Sequence, residues 1–271
     1  MKLVDFIALH APALEANEAR HNLILGLLER VKGDPSLDLM FWTLGGPGQC
    51  AIKTPRRGLL LGEPSQAQCR DFAIATAALE YPSVAGPDET AQWFVRHAEG
   101  QGLKFKAGMA QRIHALSAPP KRPNVPGAAR RITLDDAGLL MEWSLAFNRE
   151  AVPEDPVPSR EDVERAARQG RHFLWMVDGQ PVAMAAIGRH IRNCASIAPV
   201  YTPPEFRARG FGGAVTAAVV DQIFAEGHKT ACLYTDLSNP SSNRCYAKLG
   251  FTPVCDAWVF TRQHYGTGQQ S

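Results

Sequence analysis

A glycine-rich stretch in the carboxyl half constrains the fold of this chain more than any other. It runs from Val200 to Ala214 and contains two arginines and three glycines. An apolar run precedes it and apolar residues recur at helical spacing after it, so the sequence predicts a strand, a loop and a helix. Glycine permits positive φ and a close approach of the backbone to a ligand. Because N–H groups at a helix start attract anions, we expect this loop to bind a diphosphate.

A second stretch, Asn239 to Phe251, predicts a short helix, a glycine turn and a final strand. Asparagine followed by proline is typical of a helix start, with the asparagine as N-cap. Residues 230–235 form a further predicted strand between the two stretches. The predicted order is therefore strand, glycine loop, helix, strand, short helix and strand.

Together the two stretches resemble the GCN5-related N-acetyltransferase (GNAT) family. Arg207-x-x-Gly210-x-Gly212 is similar to that family's coenzyme A pyrophosphate loop, and Asn239-x-x-Ser242-x-x-x-Tyr246 is similar to its following signature. The resemblance implies an α/β protein with a mixed α+β sheet in the acyl-CoA N-acyltransferase fold. It also implies an acyltransferase that uses acetyl-CoA as co-substrate and a primary amine of a small molecule or peptide as acceptor. The alternatives are a non-catalytic module that binds or senses coenzyme A and an acyltransferase that uses another acyl-CoA.

The resemblance assigns roles to single residues. Backbone groups of Val200 and Thr202 are expected to bind the pantetheine arm, and the Val200 N–H is expected to stabilise the thioester oxygen. Tyr246 is the expected general acid, because a phenol can give a proton to the leaving thiolate; the alternative is a core aromatic. The predicted cofactor-binding residues are Val200, Tyr201, Thr202, Arg207, Ala208, Arg209, Gly210, Phe211, Gly212, Gly213, Asn239, Ser242 and Tyr246.

The sequence leaves the general base open. Residues 148–159 are predicted to form an acidic, proline-rich loop, and the resemblance places the acceptor site beside it. Glu150 and Asp155 are therefore candidates for holding a cationic amine, with solvated loop acids as the alternative reading. No acidic residue lies in the predicted strands 182–188 and 196–202, so Glu150, Asp236 and a water relay all stay candidates for the base.

Pro199 falls inside the predicted strand 196–202. Proline removes a ladder donor and is typical of an edge strand or a bulge. The resembled fold has a bulge in this strand, where it parts from its neighbour and admits the pantetheine arm. We therefore predict a bulge at Pro199 in a splayed strand.

The sequence of the amino half predicts alternating helices and strands and contains no second loop like Arg207-x-x-Gly210-x-Gly212. Helices are predicted over 13–30, 65–80 and 88–99, the last capped by Asp88, and strands over 37–44, 50–53, 58–61 and 103–116. Through residues 54–62 and its layout, this half resembles the amino-terminal domain of two-domain bacterial GNAT proteins, a degenerate copy of the fold. Dense prolines from Pro119 to Pro126 favour a linker after it.

We therefore predict two tandem GNAT-like domains. Residues 1–117 form the degenerate amino-terminal domain, residues 118–130 the linker and residues 131–265 the catalytic domain.

Composition restricts the partners. The 271 residues are 45% hydrophobic and 21% charged, with a net charge of +2, which is too small to indicate nucleic acid. Neither a signal peptide nor an apolar run of about 18 residues is seen, so we expect a cytoplasmic protein that does not enter a membrane. The six cysteines form no C-x-x-C pair and the histidines lack ligand spacing, so we expect no metal site. A homodimer is compatible with these features.

Overall fold

The structure is a computed structural model that describes residues 2–34, 37–54, 58–153 and 156–263. The chain folds into two compact units. Unit 1 consists of Met1–His114, Tyr234–Asn239 and Pro253–Ser271, and unit 2 of Ala115–Leu233 and Pro240–Thr252. Both units are non-contiguous in sequence, and the predicted division into 1–117, 118–130 and 131–265 stays a prediction.

Helices and strands alternate along most of the chain. The amino half contains α1 (Leu3–Glu15), α2 (Asn22–Gly33), β1 (Met40–Thr43), β2 (Cys50–Thr54), β3 (Gly58–Leu61), α3 (Gln66–Ala75), β4 (Ser83–Pro87), α4 (Thr90–Glu99) and β5 (Phe105–Leu116). The carboxyl half contains β6 (Ala128–Arg131), α5 (Ala137–Ala151), α6 (Arg160–Gln169), β7 (His172–Val177), β8 (Gln180–His190), β9 (Cys194–Tyr201), α7 (Phe211–Ala225), β10 (Thr230–Asp236), α8 (Pro240–Leu249) and β11 (Thr252–Arg262). Single 3-10 turns at Leu134–Asp136 and Pro204–Phe206 precede α5 and α7.

Unit 1 is built on a mixed sheet with the strand order β1-β2-β3-β4-β11-β5. Strands β1, β2 and β3 pair antiparallel, and β4 pairs parallel with β3 and antiparallel with β11. Helix α3 makes the crossover between the parallel strands. Aromatic residues contribute to the core around α3 and α4. Phe72 and Phe94 have ring centroids 5.6 Å apart, and Tyr81 is fully buried against Phe94.

Unit 2 repeats this pattern with the strand order β10-β9-β8-β7-β6. Strands β6, β7, β8 and β9 each pair antiparallel with the next strand along the chain. Strand β9 pairs parallel with β10, and helix α7 makes the crossover between them. Phe211, Val215, Val219 and Ile223 recur every fourth residue of α7 and are all buried in the core. The structure thus confirms the mixed α/β class, and the repeated order fits two tandem copies of one fold.

Two local predictions in the amino half are wrong. Residues 13–30 form the end of α1 and most of α2 rather than one helix, because Asn17 and Asn22 bond nearby backbone groups in the intervening turn. Asp88 does not cap α4; it has a φ of 44° and forms an ion pair with Arg20 at 2.6 Å.

The carboxyl half differs at two other places. Helix α5 continues to Ala151, so Glu150 lies in its last turn and not in a loop. Residues 128–131, most of which the proline-rich pattern places in the linker, form the edge strand β6 after the last proline. None of the described helices is both long and apolar enough to cross a bilayer.

Candidate active site

Strands β9 and β10 pair only along their first residues. The parallel register runs from Thr230 opposite Cys194 to Cys232 opposite Ser196. Strand β9 continues to Tyr201, and its residues 197–201 have no registered partner in β10. The backbone edge of β9 is therefore open to an extended ligand, which would add to it as a strand does.

The open segment of β9 carries the bulge that Pro199 predicts. In the pairing with β8, Ala185 lies opposite Val200 and Ile187 opposite Ile197, so β9 has one extra residue there. The bulge prediction is confirmed. Because consecutive strand residues point their N–H groups to alternate sides, one of Val200 and Tyr201 directs its N–H away from β8. The oxyanion role of Val200 stays a prediction.

The loop after β9 leads into the start of α7, where several backbone N–H groups have no hydrogen-bond partner in the described part of the chain. Ala208 and Gly210 have φ values of 60° and 85°, and Gly210 is the N-cap of α7 without a side-chain cap. Within the described residues, the backbone N–H groups of residues 209–213 donate to no partner. Alternating left-handed residues and the positive end of a helix together make an anion site.

Close packing explains the glycines at the start of α7. A Cβ at Gly212 would lie 3.0 Å from Thr202 Oγ1. A Cβ at Gly213 would lie 3.2 Å from Pro123 Cγ and 3.3 Å from Cys245 Sγ. The helix start therefore touches the end of β9, the proline-rich segment and α8, and a side chain at these positions would push those surfaces apart.

Arg207 and Glu150, to which the sequence gives separate roles, form one ion pair. Arg207 Nη2 donates to Glu150 Oε2 at 2.6 Å, and Arg207 Nε donates to the Thr202 carbonyl at 2.9 Å. Tyr201 donates from its hydroxyl to Glu150 Oε1 at 3.4 Å, and burial, followed by the Glu150 charge, raises the Tyr201 pKa. Both charged side chains are 46% exposed, so the guanidinium is held beside the loop yet reachable from solvent.

Tyr246 lies in the core of unit 2. It is 8% exposed and packs edge-on against Phe251, with ring centroids 6.0 Å apart. Burial, and then the neighbouring Cys245 thiol, raise the pKa of Tyr246 well above its ordinary value. The phenol therefore stays neutral near pH 7 but is a weaker acid than an ordinary tyrosine, and its role as proton donor stays a prediction. Its helix also carries Ser242 and reaches the start of α7 through Cys245.

Asn239 immediately precedes Pro240, the first residue of α8, and its N–H donates to the Asp236 carbonyl at 3.0 Å. The roles given to Asn239 and Asp236 stay predictions. Arg209 belongs to the loop and stacks on Phe211, with its guanidinium carbon 4.9 Å from the ring centroid. Asp155 lies outside the described residues.

A groove of about 410 Å³ opens beside the loop in unit 2. Its charged residues are Glu142, Arg149 and Glu205, and its aromatic residues include Trp143 and Phe206. The remaining lining residues are Leu139, Ala146, Gln180, Pro181, Tyr201, Pro203 and Pro204. Sequence reasoning missed the two glutamates of this groove.

The sequence spacing of the α5 residues in the groove could have identified one of the two glutamates, Glu142. Leu139, Glu142, Ala146 and Arg149 are three or four residues apart and lie on one helix face. Because the sequence predicts a loop from residue 148 onward, Arg149 is placed outside the helix and this face is not recognised from the sequence.

Strands β9 and β10 part after their first residues, and the helix that follows β9 begins after Gly210 without a side-chain cap. Together with the mixed sheet, these features belong to the acyl-CoA N-acyltransferase fold. Residues 138–251 match the sequence model described as the acetyltransferase (GNAT) family. The chain therefore carries a GNAT acetyltransferase domain. Comparison with curated proteins returns no match.

Solved structures agree on the fold. A Drosophila protein is 14% identical at a TM-score of 0.67, covering 96% of this chain and 97% of its own. A GCN5-related N-acetyltransferase from Kribbella flavida is 18% identical at 0.57, with coverages of 88% and 95%. A tandem GNAT protein from the clavulanic acid biosynthesis pathway is 14% identical at 0.55, with coverages of 90% and 89%. At these identities the likeness concerns the fold alone.

Proposed function

We propose that this protein is an N-acetyltransferase that moves the acetyl group of acetyl-CoA to a primary amine of a small molecule or peptide. The observation that carries the proposal is the row of N–H groups at residues 209–213, which have no partner in the described chain. The first N–H groups of a helix have no intrahelical partner and lie at the positive end of the helix dipole, so such a row suits an anionic ligand. Arg207, at the mouth of this loop, adds positive charge for a diphosphate.

The residues of unit 2 divide the chemical work. Acetyl-CoA supplies an activated thioester when bound. The open edge of β9 orients the pantetheine arm, and the outward N–H of Val200 or Tyr201 stabilises charge on the thioester oxygen, a role worth roughly 2.7–4 kcal/mol of barrier. Tyr246 gives its proton to the sulfur as the carbon–sulfur bond breaks and the new carbon–nitrogen bond forms, and the phenolate then regains a proton from solvent. The proton that the amine loses passes to water, since Glu150 is engaged by Arg207.

The groove beside the loop is the proposed acceptor site. Glu142 and Glu205 outnumber Arg149 among its charged residues, so the groove favours a cationic amine. Its aromatic residues supply apolar contact for the rest of the acceptor. A panel of amines identifies the acceptor within this class.

Titration calorimetry with acetyl-CoA, followed by thiol release in the presence of an amine panel, tests the proposal. We expect binding to the wild type, and thiol release that depends on an amine. Tyr246→Phe should lower turnover at least tenfold and leave the acetyl-CoA dissociation constant unchanged. Tyr81→Phe, at a buried tyrosine of unit 1, is the matched control and should leave both unchanged. Absence of acetyl-CoA binding would refute the proposal.

A second candidate is a non-catalytic module that binds coenzyme A. The observation that favours it is the absence of an acidic side chain from β9 and from β8 in this fully described part of the chain. Tight binding without thiol release from acetyl-CoA, or from another acyl-CoA such as succinyl-CoA, would favour this candidate over the transferase.

A further inference from the structure

Three potential metal ligands converge at the far end of α7. His190 ends β8, Glu226 is the C-cap residue of α7 and His228 precedes β10. His190 Nδ1 lies 3.1 Å from His228 Nε2 and 4.0 Å from Glu226 Oε2. The three ligand atoms all lie within 4.8 Å of one another.

These separations suit a single small cation. With metal–nitrogen bonds of about 2.0–2.1 Å, two ligands of a tetrahedral zinc ion lie roughly 3.3 Å apart. The observed 3.1 Å between the imidazole nitrogens is close to this value, and a small rotation of Glu226 would bring its oxygen into range. Imidazole nitrogen with one carboxylate is a donor set that Zn²⁺, Co²⁺ and Ni²⁺ accept.

The surroundings both favour and oppose a cation. The carboxyl end of α7 carries the negative end of the helix dipole, and Glu226 adds a full negative charge there. Two features oppose the cation. The outer nitrogens, His190 Nε2 and His228 Nδ1, have no hydrogen-bond partner among the described residues, whereas a metal-bound imidazole usually donates its outer N–H to an acceptor. Arg171 opposes the cation, because its positive charge acts on His190.

We propose that His190, Glu226 and His228 bind one divalent transition-metal ion of the zinc type. Helix α7 has 15 residues and is therefore about 22 Å long, so the ion is remote from the glycine loop at the other end. It cross-links the end of β8 to the connection between α7 and β10, and so stabilises unit 2. The sequence gives no ligand spacing because the two histidines are 38 residues apart.

Titration of the full chain with Co²⁺, followed by competition with Zn²⁺, tests this site. We expect one cobalt ion per chain, with visible absorption of a tetrahedral nitrogen and oxygen site, displaced by Zn²⁺. His190→Ala and His228→Ala should each weaken binding at least tenfold, whereas His97→Ala, at a histidine of α4 in unit 1, should not. Arg171→Gln should tighten binding. Zn²⁺ should raise the unfolding temperature of the wild type and not of the two histidine variants.

Three results would overturn the proposal. They are no stoichiometric binding, binding that the histidine substitutions leave unchanged, or sulfur-to-cobalt charge-transfer absorption that assigns the ion to cysteines. If both histidine variants fail to fold, Glu226→Gln decides, because its side chain is 32% exposed. Unchanged affinity in that variant would count against the site. These readouts do not depend on acetyl transfer.

Discussion

Both units contain a strand, a turn and a crossover helix in equivalent positions, but the two helix starts differ. In unit 1, Ser65 caps α3: its Oγ accepts from the Gln68 N–H at 3.4 Å, and Gln68 Oε1 accepts from the Ser65 N–H at 2.8 Å. In unit 2, Gly210 precedes α7 and has no capping side chain. A capping box therefore satisfies in unit 1 the kind of N–H group that stays without a partner, among the described residues, at residues 209–213 of unit 2.

The turn before α3 and the loop before α7 also differ in charge and in the size of the neighbouring cavity. The turn of unit 1 carries Glu63, which pairs with Arg20 at 2.8 Å, whereas the loop of unit 2 carries Arg207 and Arg209. Beyond the paired residues of β3 and β4, unit 1 has a cavity of only about 40 Å³, lined by groups such as Leu61, Gly86 and Trp258. One fold thus supports a closed, acidic turn and an open, basic one, so fold alone does not decide which unit binds a cofactor.

Substitution by aspartate at the two helix starts should give the largest contrast. Gly212→Asp puts a Cβ 3.0 Å from Thr202 Oγ1 and a negative charge in the proposed diphosphate site. We expect acetyl-CoA affinity to fall at least about 100-fold, or ~2.7 kcal/mol, in calorimetry. Gln66→Asp, in the first turn of α3, is the matched control and should leave the affinity unchanged. Equal losses in both variants would contradict the assignment of the site to unit 2.

Arg207 should produce a smaller effect that depends on its partner. Arg207→Ala removes one exposed positive charge, and we expect acetyl-CoA affinity to fall about tenfold, less at high salt. Glu150→Gln removes the carboxylate that neutralises Arg207 at 2.6 Å, so affinity should rise a few-fold. Glu142→Gln, at a groove carboxylate, is its control and should change acceptor use only. A lower affinity in Glu150→Gln would show that the ion pair positions Arg207 for the ligand.

The strand, glycine loop and helix of residues 194–225 could be predicted because their determinants are local. The spacing of Arg207, Gly210 and Gly212 and the apolar period of α7 are all visible within residues 200–223. The same holds for the bulge at Pro199, which follows from the missing donor of proline. Each of these features depends on residues that are near neighbours in sequence.

The remaining features depend on contacts between distant segments. Glu150 and Arg207 are 57 residues apart and meet because α5 continues through residues 148–151, which the sequence predicts as loop. Glu142 and Glu205 line one groove, although no spacing connects them. The two amino-terminal helices look like one in the sequence because no glycine or proline marks the turn at residues 16–21. There, side-chain bonds of Asn17 and Asn22 to nearby backbone groups separate the two helices.

Stability measurements extend the contrast between the helix starts. Ser65→Ala removes the cap of α3 and should lower the free energy of unfolding by about 1 kcal/mol without changing acetyl-CoA affinity. Gly210→Ala forces alanine to a φ of 85°, which costs about 1–2 kcal/mol, and it should lower affinity as well. Urea unfolding and calorimetry on both variants separate the two outcomes. A loss of affinity in Ser65→Ala would mean that the cap of unit 1 also serves the ligand.

The smallest expected effect concerns pH, because other helix starts of unit 2, among them the one before α5, carry a titratable capping residue. Before α5, Asp136 accepts from the Thr133 N–H at 2.8 Å and from Arg130 at 2.8 and 2.9 Å. The Arg130 bond, foremost, lowers the Asp136 pKa to about 2, below the ~3.9 of an unfolded chain. Its contribution is therefore complete above pH ~4 and is lost as the pH falls towards ~2.

Asp136→Asn should lower the free energy of unfolding by less than about 1 kcal/mol near neutral pH, since the Arg130 partner is 41% exposed and solvent screens the pair. The difference from wild type should shrink near pH ~3, as the wild-type carboxylate becomes protonated in the unfolded state. The cost of Ser65→Ala should stay constant over the same range, because neither Ser65 nor Gln68 titrates. If the Asp136→Asn difference stayed constant instead, the side chain would act through its shape and not its charge, and the helix starts of the two units would be alike in this respect.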